Sequence, residues 1–275
     1  MMMNFSGKTV LITGGAKGIG REISRLFGLA GSNLVISGRN SESLTLTANE
    51  FRSDNINVVS IKGDVTDIAD CQNVVNKTIE AFGQIDVLIN NAGMSMRGLF
   101  ENTDLKLFHK IIDINFVGAV NMTKIALPYL KVSRGSVIFI SSISGLKGLP
   151  GIAPYSVAKM ALKGFSESLR CELHNRVHVG IIYVSFTEND PNKMMYSQDG
   201  NLTPLKRDKN SSTQLDVAKA VTHLVLKRKR QLIMTPMGKL ANFFFTTFPF
   251  LSERLIMLFS NRSKLYASDN LFPDQ

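Results

Sequence analysis

Apolar residues along this chain fall in two alternating rhythms. Short unbroken runs recur: Val10-Leu11-Ile12, Leu34-Val35-Ile36, Val58-Val59-Ser60-Ile61, Val87-Leu88-Ile89, Val137-Ile138-Phe139-Ile140 and Val179-Gly180-Ile181-Ile182-Tyr183-Val184. Runs of this length, rich in β-branched residues, read as strands buried on both faces. Between them, stretches at 19–30, 41–54 and 67–82 repeat their apolar positions with a helical period. A seventh short strand at 231–234 follows a helix at 215–229. This alternation predicts an α/β fold, a doubly wound parallel sheet of seven strands with helices on both faces and its ligand at the carboxyl ends of the strands. Neither a repeat nor a linker-like stretch interrupts it, so residues 1–236 read as one domain.

Two regions break the rhythm. Residues 186–213 are polar and aperiodic, and a loop that long inside a compact domain reads as a substrate lid. Residues 237–275 open with an apolar, helical extension: 240–251 holds no charge and carries Phe243, Phe244, Phe245, Phe248 and Phe250. Pro249 and Glu253-Arg254 interrupt it, so it lacks the roughly 18 unbroken apolar residues of a spanning helix. Phe250, Leu251, Arg254, Leu255, Leu258 and Phe259 share one helical face. Three uses fit such a face: a subunit contact, a flap over the substrate mouth, or a peripheral membrane contact through 238–260.

The net charge of +10 admits nucleic acid, an anionic surface or an anionic cofactor. No basic stripe interleaved with aromatics is present, which excludes nucleic acid, and Lys227-Arg228-Lys229-Arg230 reads as a solvated helix end. Cys71 and Cys171 lie far apart without metal spacing and read as reduced core thiols, so no metal is expected. The first residues have no apolar signal segment, which points to the cytoplasm, with membrane association left open.

Candidate chemistry sits at the strand ends. Thr13-Gly14-Gly15-Ala16-Lys17-Gly18-Ile19-Gly20 joins the first strand to the first helix. Its glycines let the backbone turn tightly and approach a pyrophosphate at the positive end of that helix. In this position Thr13, Gly14, Lys17, Gly18, Ile19 and Gly20 predict a dinucleotide site on a Rossmann-type sheet. NAD enzymes place a carboxylate after the second strand, whereas Ser37-Gly38-Arg39-Asn40 has none. Arg39 and Lys17 are suited to a 2′-phosphate, which favours NADP(H). Further on, Tyr155-Ser156-Val157-Ala158-Lys159 puts a phenol and an ammonium on one helical face. A cation there lowers the tyrosine pKa from about 10 and fits it for acid–base work on an alcohol or carbonyl.

Together these motifs resemble those of the short-chain dehydrogenase/reductase family over about residues 8–234. Gly63-Asp64-Val65, Asn90-Asn91-Ala92-Gly93, Asp113-Ile114-Asn115-Phe116 and Ile140-Ser141-Ser142 extend the resemblance, in order. It implies that Asp64 and Val65 touch adenine and that Asn91, Ala92 and Gly93 brace the sheet beside the cofactor. It also implies catalytic roles for four residues. Tyr155 would protonate the substrate oxygen, and Lys159 would tune Tyr155 and bond the nicotinamide ribose. Ser142 would hold the carbonyl, and Asn115 would hold a relay water. The family's Pro-Gly after the sixth strand is missing from Ser185-Phe186-Thr187-Glu188-Asn189, which leaves Thr187 or Asn189 for the carboxamide. A homodimer or homotetramer is common in the family, and similar apolar tails occur in members acting on lipids, such as the 11β-hydroxysteroid dehydrogenases.

The expectation is an NADPH-dependent reductase of a hydrophobic, lipid-like ketone or aldehyde, a reversible reaction through Tyr155. The rivals are a soluble 3-oxoacyl-thioester reductase of fatty-acid synthesis and, from another class, a catalytically idle NADP-binding regulatory protein. The four catalytic-type residues argue against idleness, since a pure binder has no chemical use for them. Met94 to Phe100, Lys147 to Pro150 and 186–213 are expected to shape the substrate pocket.

Overall fold

A computed structural model describes residues 4–188, 193–205 and 212–260. The chain runs β1 (Thr9–Thr13), α1 (Gly18–Leu29), β2 (Asn33–Gly38), α2 (Ser41–Ser53), β3 (Val58–Lys62), α3 (Ile68–Phe82) and β4 (Val87–Asn90). It continues through β5 (Met96–Arg97), α4 (Leu105–Ile112), a π-helical turn at Asp113–Val117, α5 (Gly118–Val132), β6 (Ser136–Ser142) and α6 (Ala153–Glu172). After these come β7 (His178–Val184), β8 (Met194–Ser197), β9 (Leu202–Pro204), α7 (Gln214–Leu226), β10 (Gln231–Ile233), α8 (Pro236–Thr247) and α9 (Pro249–Ser260).

All seven expected strands form one parallel sheet in the order β10-β7-β6-β4-β1-β2-β3. Successive side chains in a strand take opposite faces, and the core divides accordingly. Val10, Ile12, Leu34 and Ile36 pack against Ile23, Phe27, Leu44 and Val221 of α1, α2 and α7. Leu11, Val35, Leu88 and Phe139 pack against Val74, Met122 and Leu162 of α3, α5 and α6. After β3 the chain crosses back to β4 on the other side of β1, so the loops after β1 and β4 diverge and open a crevice.

A second sheet, β5-β8-β9, departs from the expectation of a plain lid. β5 pairs in parallel with β8, Met96 opposite Tyr196, and β9 returns antiparallel, Met194 opposite Pro204. Two of the stretches expected to shape the pocket are therefore tied together by backbone hydrogen bonds. Residues 189–192 and 206–211 of the expected lid, Asn189 included, lie outside the described residues.

The C-terminal extension is two helices meeting at Pro249, whose ring cannot continue a helical ladder. Met237, Leu240 and Phe243 on α8 are exposed, as are Phe250, Leu251, Met257 and Leu258 on α9, and Phe250 reaches 84%. Among the described residues no helix is long and apolar enough to cross a membrane. The Phe259 side chain falls outside the description.

Two smaller expectations change. Cys71 is buried, but Cys171 is exposed, because α6 turns Leu162, Ser166 and Leu169 inward and Cys171 follows on the opposite side. Arg228 does not simply face water. Its guanidinium donates to the carbonyls of Arg134 at 3.3 Å and Gly135 at 3.5 Å, bracing the turn before β6.

Candidate active site

The crevice is a cleft of about 720 Å³. At one end the turn after β1 is held by what will not fit. Gly14 and Gly18 take φ of 65° and 53°, the left-handed region that favours glycine. A Cβ on Gly20 would sit 2.0 Å from the Gly14 carbonyl oxygen and 2.5 Å from Asn91 Nδ2. Asn91 Nδ2 donates to the carbonyls of Thr13 at 2.9 Å and Gly14 at 3.1 Å. In return Thr13 Oγ1 accepts from the amides of Asn91 at 3.0 Å and Ala92 at 3.1 Å. Thr13 thus stands behind the cleft rather than in its wall and locks the β1 turn to the end of β4. The first turn of α1 has no side-chain cap and no acid, so its dipole favours an anion.

Past β2, Arg39 Nη1 stands 3.9 Å from Asp64 Oδ2, with the Arg39 side chain half exposed. So long and wet an ion pair binds weakly, which leaves the guanidinium available for a stronger anion. Lys17, Asn40 and Ser43 line the same end, and the stretch from Ser37 to Asn40 that closes β2 carries no carboxylate. Asn40 accepts from the Ser43 amide at 2.7 Å as the cap of α2. Val65 lies on the cleft wall beside Asp64.

At the other end, β6 delivers Ser142 and α6 delivers Tyr155 and Lys159, one turn apart. Lys159 Nζ lies 5.6 Å from the Tyr155 ring centroid and donates to the Ile140 carbonyl at 3.0 Å. Lys159 is buried on the cleft wall; burial first, then the charge of Lys193, pull its pKa down to about 7. Ser141 Oγ donates to the Lys159 carbonyl at 3.0 Å, and a Cβ on Gly145 would sit 2.7 Å from that same oxygen. The end of β6 is therefore pressed onto α6. Ser142 Oγ accepts from the Ser144 amide at 3.2 Å and its oxygen faces the cleft.

Asn115 sits in the π turn, a distortion that recurs at functional sites. Its Nδ2 donates to the carbonyls of Met94 at 2.8 Å and Ile111 at 2.9 Å, and its Oδ1 accepts from the Met94 amide at 3.3 Å. Both amide hydrogens are thus spent on backbone, fixing the chain after Gly93. A Cβ on Gly93 would lie 2.7 Å from Asn115 Oδ1 and 3.5 Å from Lys159 Nζ. Thr187 is buried on the cleft wall, donating from Oγ1 to the Ser185 carbonyl at 3.0 Å.

Of the catalytic and cofactor residues read from sequence within the described residues, all but Thr13 line this one cleft, with Ile19 and Ala92 contributing apolar wall; of the stretches expected to shape the pocket, Met94 and Ser95 line it and Lys147 to Pro150 do not. Glu188, Lys193 and Met194 also line it, from the stretch expected to shape the pocket, and Ser43, Leu44 and Gln214 line it unread. The first three lie in the aperiodic stretch, where only backbone pairing reveals their placement. Asn40 carried a legible signal, a capping residue directly after Arg39.

Residues 8–199 match the family model described as short chain dehydrogenase. The chain is 36% identical over 202 residues to 11-beta-hydroxysteroid dehydrogenase 1A of Arabidopsis thaliana, covering 72% of this chain and 58% of that protein. It is 30% identical over 270 residues to dehydrogenase/reductase SDR family protein 7-like of Dictyostelium discoideum, covering 94% of this chain and 84% of that one. A dehydrogenase/reductase from Sinorhizobium meliloti 1021 superposes with a TM-score of 0.75 at 25% identity, over 85% of this chain and 95% of that one. The chain therefore belongs to the short-chain dehydrogenases, a family of oxidoreductases that use NAD(P)(H) on small molecules.

Proposed function

We propose that this protein reduces the carbonyl of a hydrophobic, lipid-like ketone or aldehyde with NADPH, reversibly. The observation that carries the reading is the polarity of the cleft. Lys17 and Arg39 mark one end, with no carboxylate in the Ser37–Asn40 stretch and Asp64 only loosely paired, and Ser142, Tyr155 and Lys159 mark the other. The glycine cradle, which a Cβ on Gly20 would fill, and the uncapped start of α1 fit the pyrophosphate of a dinucleotide. Arg39, with Lys17 and Ser43, fits a 2′-phosphate. Asp64 and Val65 would flank adenine, and Thr187 would meet the carboxamide.

Bound there, NADPH supplies the hydride. The Tyr155 hydroxyl donates a proton to the substrate oxygen as negative charge develops on it, and Ser142 Oγ–H donates a second hydrogen bond that fixes the carbonyl. Lys159 carries the charge that favours the tyrosinate left behind. Burial first, then Lys193, pull its pKa down to about 7, so its charge is available at and below neutral pH. Asn115 contributes position: its amide holds Met94 and, with it, the wall beside Gly93.

Hydrophobic substrate class is supported by the hydroxysteroid-dehydrogenase names of the relatives and by the apolar helices near the mouth. Residues 1–236 form the catalytic unit and 237–275 an appendage. Lys147, in the loop between Ser142 and Tyr155, bonds Glu253 of α9 at 2.7 Å, which ties α9 to that loop. The exposed faces of α8 and α9, with Lys239 and Arg254 among them, suit a peripheral contact with an anionic membrane. Val157 and Met160, exposed on α6, suit a subunit contact. The test is NADPH and NADH oxidation with ketones of increasing chain length, with and without anionic vesicles. A rate that rises with chain length and with vesicles, for NADPH above NADH, is expected; equal rates with NADH, or indifference to chain length, would overturn the corresponding part.

A further inference from the structure

The small sheet does more than close the lid. β5 and β8 run parallel with Met96 opposite Tyr196, and the Tyr196 amide donates to the Ser95 carbonyl at 3.0 Å. Met194 lies two residues before Tyr196 on β8 and shares its face, and Met94 lies two residues before Met96, just outside β5. The deeper pair closes a separate apolar cluster with Leu107 and Ile111 of α4, and both Met94 and Tyr155 pack against that cluster. The outer pair, Met94 and Met194, emerges half-buried into the cleft beside Tyr155. Lys110 Nζ, 4.7 Å from the Tyr196 ring centroid, caps the cluster from α4. The bases of the two methionines are fixed, Met94 by Asn115 bonding both its amide and its carbonyl, Met194 by the ladder to β9.

Rigid bases with soft tips make a particular kind of wall. A thioether side chain is unbranched, turns about three bonds and is polarisable, so it fills against apolar surfaces of different outline. We propose that Met94 and Met194 together form the substrate-facing wall that sets specificity, a thioether pair assembled from β8 and the segment leading into β5. It selects bulky or flexible apolar ketones by contact area, with orientation left to Ser142 and Tyr155. This deepens the reductase reading and rests on it.

The test uses Met94→Ala, Met194→Ala and the double variant, with a four-carbon and a twelve-carbon ketone. Each single variant should lose about 10-fold or more in kcat/KM on the long ketone, the range set by small changes of apolar contact. On the short ketone the change should stay within about 2-fold, and NADPH affinity should not move. The double loss should differ from the product of the singles, since both tips touch one ligand. Equal losses on both ketones would reassign the pair to structure, and no loss on the long one would remove it from the wall. A second measurement needs neither turnover nor a variant: peroxide oxidation of the wild type, NADP⁺ always present, with and without the long ketone. Sulfoxide formation should slow at Met94 and Met194 and stay constant at the exposed Met237 and Met257. Protection without turnover would sink the reductase reading and keep the wall; turnover without protection would do the reverse.

Discussion

At the cofactor end of the cleft, geometry is set by exclusion. A Cβ on Gly20 meets a carbonyl oxygen at 2.0 Å, and Thr13 and Asn91 bond each other's backbone from neighbouring strands. At the substrate end, the wall includes two half-buried methionines, unbranched side chains that turn about three bonds. One end is built to hold a single shape and the other to accept several. A small change should therefore be costly and uniform at the first end, graded and ligand-dependent at the second.

The largest effect should come where the two ends meet. Tyr155→Phe removes only a hydroxyl, and turnover should fall by about 1,000-fold, the general-acid range, while NADPH affinity stays within about 3-fold. Turnover retained within 10-fold would displace Tyr155 from the chemistry. Next, Gly20→Ala should weaken NADPH and NADH together by about 100-fold in fluorescence titration, since the cradle fails for any pyrophosphate. A loss confined to one cofactor would break the idea of a rigid end. Arg39→Ser should cost about 10-fold in NADPH affinity and leave NADH unchanged; a matching loss of NADH would detach Arg39 from the 2′-phosphate.

The smallest effect is on stability and runs with pH. Lys159 titrates near 7 in the fold, against the ordinary lysine value of 10.5 in the unfolded chain. Between those values the unfolded chain holds the extra proton, so stability rises with pH through the window, and below pH 7 the full burial penalty persists. Lys159→Met has no such penalty, although it loses the bond to Ile140. In the absence of cofactor it should melt several degrees above wild type at pH 7, a gap that narrows toward pH 10. A variant that melts lower at pH 7 would show that the buried ammonium stabilises its surroundings.

What could be read from sequence follows the same division. The seven strands were legible because strands buried on both faces must be unbroken apolar runs, as Val137 to Ile140 are. The glycine turn was legible because backbone sterics dictate residue type, and Tyr155 with Lys159 because helical spacing does. The small sheet was not. β5 is two residues long, and β8 gains meaning only by pairing with it across about a hundred residues of chain. Asn115 was found, but not that its amide is spent on the Met94 backbone, since a hydrogen-bond partner 21 residues away leaves no trace in spacing. Cys171 was misplaced because a helix turns through about 200° in two residues, so Leu169 and Cys171 face apart.

The bare aromatic faces of α8 and α9 also govern how the protein behaves in bulk. Phe250, 84% exposed, and its neighbours make each copy sticky toward any other, so the second virial coefficient should be negative in plain buffer. Sulfate, which drives apolar groups together, should lower solubility steeply, and a mild detergent should restore it. A mass measured by light scattering without amphiphile would then track the loading concentration rather than a fixed assembly.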